Sequence, residues 1–300
     1  MEKNLYIDAS HPSETRIVLK SSSSIEEYEF EDKNKLNFKN NIYLGTVSRV
    51  EPSLQAAFIN FGRIKHGFLA FNDIQSDYYQ IPFEDKERIK NAEEKIRENL
   101  KNKTVEDLSN EKNTEKQNEK LEEKNSIKTD EDVKTDEDVK KEYREELKTS
   151  YGLKRYRIQE VIKPGQVILI QVIKEERGQK GAALTTFISL AGKYIVLMPN
   201  TAKGGGISRK IFNSSDRQKI RSILSEIEIP KSMGVIVRTA GANKTRNEIE
   251  KDFKNTLKTW EEIGDKALNS NAPSLVYEEG DIIKRTLRDT YDNETKNVYI

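Results

Sequence analysis

The sequence predicts an α+β chain: a small β-barrel, interrupted by a charged insert and followed by an α/β unit. Three observations carry this. Runs that alternate apolar with polar residues, rich in Val, Ile, Tyr and Phe, recur through the first 70 residues and return at Val167 to Ile173. Between them the composition breaks, since Glu84 to Lys148 holds 17 Lys and Arg against 22 Asp and Glu, with Tyr143 as its single aromatic residue. Beyond the second β region, apolar residues recur at helical spacing from Ser215 to Ile227 and from Ile249 to Ile263. A chain of 300 residues has room for more than one core.

Leu5 to Ala9 and Arg16 to Leu19 read as two strands joined by the turn His11-Pro12-Ser13. After a second turn at Ser21 to Ser24, Tyr28 and Phe30 alternate with glutamates, which predicts a third, half-buried strand. Asp8 sits where a strand-borne carboxylate starts many two-metal sites. Divalent metals need several oxygen ligands, so a lone carboxylate is read as structural. His11 and His66 read as surface residues.

Ile42 to Asn60 gives two β runs about the turn Glu51-Pro52-Ser53, followed by Phe61-Gly62, the basic turn Arg63 to His66, and Gly67-Phe68-Leu69. This pattern is similar to the S1-type RNA-binding barrel of the OB class, in which bases stack on exposed aromatics beside a basic groove. Phe58 and Phe68 are the candidates, with core packing as the alternative reading.

From about 82 to 150 the chain is dominated by Glu, Lys, Asp and Asn, and KTDEDV occurs twice in succession from Lys128 to Val139. So little apolar surface cannot offset the ordering entropy, so the insert reads as disordered, with Glu84 to Leu100 and Lys140 to Leu147 carrying helix-favouring charge pairs. It serves either as a solvated spacer or as a partner-binding segment. The barrel resumes at Tyr151 with a basic stretch containing Lys154, Arg155 and Arg157, then turns at Pro164-Gly165. Lys174 to Lys180, five of whose seven residues are charged, forms a turn between glycines Gly178 and Gly181 that sets Lys174 and Lys180 at the barrel rim. The alternative is a hairpin tip kept soluble by charge.

Val235 to Val237 reads as a buried strand ending in Arg238-Thr239-Ala240-Gly241. A planar five-donor fork and a hydroxyl together at a strand end suit phosphate oxygens, and Lys203 to Arg209 adds a glycine-rich loop and a second guanidinium. Ser215-x-x-Gln218 predicts a capping box for a helix burying Ile220, Ile223, Leu224 and Ile227. Ile249, Phe253, Leu257, Trp260 and Ile263 mark a second core-facing helix, and Asp281 to Ile300 reads as a strand, a short helix with Arg285 and Arg288, and another strand.

Outside Glu84 to Lys148 the chain carries 35 basic against 29 acidic residues, which suits an anionic partner. With no cysteine anywhere, neither a disulfide framework nor a thiolate zinc site can be built from it. MEKNLYIDAS lacks the apolar core of a signal peptide, and the longest uncharged apolar stretch, Gly181 to Gly192, is too short to span a bilayer. A cytoplasmic protein with no membrane segment is expected.

Several stretches together, IYLGTVSRVEPSLQAAFINFG, KHGFL, VIKPGQVILIQVIKEERGQKGAALTTFISLAGKYIVLMPN, GGGISRKI and MGVIVRTAG, resemble the N-terminal half of the bacterial ribonuclease E/G endoribonucleases. The resemblance implies an S1-type barrel (41–187, with the insert at about 82–150) and a 5′-sensor domain (188–281), set into an incomplete ribonuclease H-like subdomain (1–40 and 282–300). It implies RNA contacts by Phe58, Phe68 and Lys180, and a pocket for a 5′-monophosphate end formed by Gly192, Val196, Arg209, Arg238 and Thr239. It also implies hydrolysis of single-stranded, AU-rich RNA by Mg2+ held on two aspartates of a following nuclease-like domain, a Zn2+ link between subunits through paired cysteines, and a homo-oligomer at full length. No catalytic or metal-binding residue is then expected among these 300, which should bind 5′-monophosphorylated RNA without cutting it. The rivals are a catalytically silent regulatory RNA-binding protein and an interaction scaffold working through the insert.

Overall fold

The computed structural model describes residues 3–32, 37–89, 91, 156–178, 180–201, 206–230, 232–291 and 295–300. The first 32 residues form a meander of β1 (Lys3–Asp8), β2 (Glu14–Ser21) and β3 (Ile25–Asp32). Leu5, Ile7, Ile17 and Leu19 alternate onto one buried face of β1 and β2. β3 departs from expectation. It is exposed on nearly its whole length, including Tyr28 and Phe30 at 57% each, because it is the edge of its sheet and its aromatics point away from the core.

The barrel consists of β4 (Ile42–Glu51), β5 (Ala56–Asn60), β6 (Gly67–Ala70), β7 (Val167–Lys174) and β8 (Ala183–Thr185). They pair in the order β4-β5-β6-β8-β7, and β7 pairs back onto β4, so five strands close in an OB-like arrangement without a free edge. Val47, Ile59, Phe61, Leu69, Ile168, Ile170, Val172 and Leu184 fill the interior. A single helical turn, α1 (Ile158–Val161), brings the chain back from the insert and adds Ile158, Val161 and Ile162 to that core. At the start of the insert, residues 83–89 are helical and Ile89 is buried, with the Tyr156 hydroxyl donating to Asp85 at 2.5 Å. Apart from residue 91, the rest of the predicted disordered stretch, to 150, falls outside the described residues.

The third sheet has the order β11-β12-β10-β9, from β9 (Leu190–Ala191), β10 (Ile195–Met198), β11 (Gly206–Ile207) and β12 (Gly234–Val237). Against it pack α2 (Ser214–Glu226) and α3 (Arg246–Leu268), burying Ile220, Ile249, Phe253 and Ile263 with Leu190, Ile195, Leu197, Val235 and Val237. The α2 cap differs from the predicted box: Asn213 is the N-cap, its side chain accepting from Ser215 N, so the Asx side chain one residue before the helix wins over Ser215 and Gln218. A capping box does open α3, where Thr245 and Glu248 exchange bonds.

The strand expected near Asp281 lies earlier, as β13 (Ser274–Tyr277), and pairs with the first residues of β4. Ile42 of β4 consequently belongs to the core of the third sheet, and the barrel and this unit share a strand. Asp281 instead caps α4 (Ile282–Asp289), whose Ile282 covers the first meander. β14 (Thr295–Tyr299) then joins β1 in parallel, giving the order β14-β1-β2-β3. Among the described residues no helix is long and apolar enough to cross a membrane.

Candidate nucleic-acid interface

On the barrel, period-2 alternation leaves Phe58 and Phe68 on the outer face, both half-buried, while Ala57, Ile59 and Leu69 face in. The two rings are cross-strand partners, 6.0 Å apart and edge to face at 76°. Arg49, which sequence reasoning missed, is the β4 partner of Phe58 and holds its guanidinium 4.4 Å above that ring. The group thus offers two half-buried rings beside a cation, a combination on which bases can stack.

The rim turn is tied to the neighbouring basic turn. Lys65 Nζ donates to Gly178 O at 2.7 Å and lies 3.9 Å from Glu176, while Phe68 N donates to Ala182 O at 2.7 Å. A Cβ on Gly181 would stand 2.1 Å from the carbonyl oxygen of His66, so this close crossing admits only glycine. Lys180, exposed and bridged by backbone bonds to Arg177, is thereby delivered to the strand edge beside Phe68, whose partner is Ala183.

The second cluster forms at one end of the third sheet. β11 runs parallel to β12 with Ile207 opposite Val237, so Arg209 and Arg238-Thr239 leave their strands at the same end. β10 is antiparallel to β12 with Ile195 opposite Val237, which brings Gly192 to that end as well. Val196 lies one row inward, opposite Ile236 and Ala191 on the face away from the core. Arg209 and Thr239 are exposed, and the preceding loop, 202–205, falls outside the described residues. Asp252 on α3 fixes the Gly192 turn by accepting from the backbone N–H groups of Lys193 (3.1 Å), Tyr194 (2.8 Å) and Ile195 (3.1 Å). A Cβ on Gly192 would lie 2.6 Å from that carboxylate.

Arg238 is anchored through Nη1, which donates to Gly192 O at 2.8 Å and to Asp289 Oδ1 at 2.6 Å. Asp289 is in turn held by Arg288, whose Nε and Nη2 donate to its two oxygens at 2.9 Å each, while Arg288 Nη1 donates to Glu279 at 2.6 Å. Burial raises the Asp289 pKa, but the bonds from Arg288 and Arg238 outweigh it and leave the carboxyl below its usual range. The network borders a polar cleft of about 470 Å3 lined by Arg238, Arg285, Arg288, Lys39, Asp289 and Glu27, among others.

Asp8 accepts from the backbone and hydroxyl of Ser10, which lower its pKa in a local turn. Among the described residues no group of three or more His, Cys, Asp or Glu side chains converges as a divalent-metal site requires. The resemblance places its magnesium-holding aspartates in a following domain, and the cysteine-free chain supplies no thiolate for zinc.

Residues 189–300, which contain the whole sheet-end cluster, match the ribonuclease E/G family. The chain is also 32% identical over 287 residues to ribonuclease E of Escherichia coli (strain K12), covering 96% of this chain and 21% of that protein. This chain belongs to the ribonuclease E/G family. Ribonuclease E of Buchnera aphidicola subsp. Acyrthosiphon pisum (strain APS) is 33% identical over 287 residues, 96% of this chain and 24% of its own length. That of Synechocystis sp. (strain ATCC 27184 / PCC 6803 / Kazusa) is 38% identical over 143 residues, 48% of this chain and 21% of its own length. The chain thus spans no more than about a quarter of these family members.

Proposed function

We propose that this chain is the RNA-recognising, 5′-monophosphate-sensing portion of a ribonuclease E/G type endoribonuclease acting on single-stranded, AU-rich RNA in RNA processing and decay. The observation that carries the reading is the convergence of Gly192, Arg209, Arg238 and Thr239 at one sheet end. Guanidinium groups, a hydroxyl and backbone groups at one edge are the donor set a terminal phosphate calls for. Bases downstream of that end stack on Phe58 and Phe68, with Arg49 and Lys180 beside the strand.

In this reading the chain divides into a 5′-sensor domain at 188–281, an S1-type barrel at 41–187 and ribonuclease H-like parts at 1–40 and 282–300. Recognition resides in the residues named here. Magnesium-dependent cutting, the zinc link and homo-oligomer assembly belong to other parts of the family polypeptide, and the work is cytoplasmic.

The test is a fluorescence titration of one AU-rich oligonucleotide carrying a 5′-monophosphate, a 5′-hydroxyl or a 5′-triphosphate. The parent chain is expected to favour the monophosphate about tenfold, as a charge-assisted contact of about 1.5 kcal/mol would give, and Arg238→Ala to lose that preference. A parent that binds all three ends alike sinks the reading.

A further inference from the structure

Arg238 uses one of its three donor nitrogens for both of its bonds. Gly192 O and Asp289 Oδ1 both accept from Nη1, and Nε and Nη2 have no hydrogen-bond partner among the described residues. The side chain retains 27% exposure and lines the polar cleft. A planar guanidinium held at one corner by two acceptors from different elements has its plane fixed, and the opposite edge is presented ready-made. One acceptor is the turn before β10. The other, Asp289, is the last residue of α4, a separate layer of the molecule.

Asp289 is itself immobilised. Arg288 grips both of its oxygens, and Glu279, whose side chain is only 6% exposed, holds Arg288 from the far side. The two arginines and the two carboxylates of this network balance in charge, so what is offered to an anion is the oriented, exposed edge of Arg238, with Arg285 and Lys39 adding positive charge to the cleft lining.

Resting on the reading of Arg238 as the phosphate-gripping group, we propose that Asp289 is the positioning residue of the 5′-end site. From α4 it locks the guanidinium so that the Nε–Nη2 edge meets a terminal monophosphate in the cleft. The sensing of the RNA end then depends on the docking of α4 against the third sheet as well as on the sensor residues themselves. Nothing in the sequence around Asp289 marks it for this role, since it reads as one charge of a short basic helix.

The experiment titrates the full 300-residue chain with the 5′-monophosphate and 5′-hydroxyl forms of one oligonucleotide, comparing the parent with Asp289→Ala and Asp289→Asn, with the thermal midpoint of each recorded. Asp289→Ala is expected to cut the monophosphate preference at least fivefold and to leave 5′-hydroxyl binding within twofold of the parent. Asp289→Asn, which keeps the size and one acceptor oxygen, should fall between. If the parent shows the preference and Asp289→Ala keeps it, this proposal fails alone. An increased preference would overturn it too, by marking the carboxylate as a competitor of phosphate, and equal weakening of both ends would reduce Asp289 to a structural residue. A parent without preference removes the phosphate reading and this proposal with it.

Discussion

At the barrel face, Phe58 and Phe68 stand half-exposed and edge to face, with the Arg49 guanidinium above the Phe58 ring. At the sheet end, Arg238 already holds two acceptors, and a carboxylate lies 2.6 Å from the group proposed to bind phosphate. The difference follows from the chemistry of the groups on each surface. A ring is neutral and tolerates water on one face, so exposure alone prepares it. An arginine side chain is long and has many rotamers when free, so the orientation of its guanidinium must be imposed by partners. In the proposed reading, one surface takes any stretch of single strand and the other takes an end.

The largest test of this contrast uses the two glycines that anchor the regions. Gly181→Ala drives a methyl against the His66 carbonyl, and backbone cannot yield as a side-chain tip would. A loss of about 3 kcal/mol in urea unfolding is expected, with RNA binding weakened whatever the 5′ end. Gly192→Ala pushes the Asp252 carboxylate off three N–H groups, at a cost of about 2 kcal/mol, and should abolish the end preference while 5′-hydroxyl binding survives. If both variants lose the same property, the two regions are not separable surfaces.

A smaller effect separates the chemistries. Phe68→Ala should cost about 1 to 3 kcal/mol for each base released, equally for all three 5′ ends. Its loss should change little with salt, because stacking releases few counterions, whereas the monophosphate preference should shrink as salt rises. A Phe68→Ala effect confined to monophosphorylated RNA would place that ring at the 5′ site instead.

How far the sequence could reveal these surfaces depended on the interaction. Phe58 and Phe68 were legible because alternation puts them opposite Ala57, Ile59 and Leu69, and a barrel strand has only two faces. The same alternation misled at Tyr28 and Phe30, since the pattern is identical whether or not anything covers the apolar side. β13 was displaced because its partner, β4, lies some 230 residues away and no local signal encodes that pairing. Asn213 and Ser215 are both good caps two residues apart, and the choice fell to tertiary fit. Asp252 and Asp289 were invisible: a carboxylate on a polar helix looks solvated until the helix is docked. Arg209 and Arg238 were singled out from their loop and strand-end context, but the carboxylate that holds Arg238 was not.

The smallest expected effect concerns pH, and it distinguishes ligand from protein. Asp289 has its folded-state pKa depressed, so its contribution to stability is fully present above the unfolded value, near 3.8, and is lost as pH falls through the lower folded value. Between pH 7 and pH 5 this pair therefore leaves stability unchanged. A terminal monophosphate dianion takes up one proton near pH 6 and drops to a single negative charge in the same window. The monophosphate preference should decline about two- to threefold from pH 7 to pH 5, as expected for partial loss of a charge-assisted contact, while the unfolding midpoint set by Asp289 stays flat. Binding and stability that fall together between pH 7 and pH 5 would mean that the sheet end is titrating, and the paired-guanidinium description of that end would be wrong.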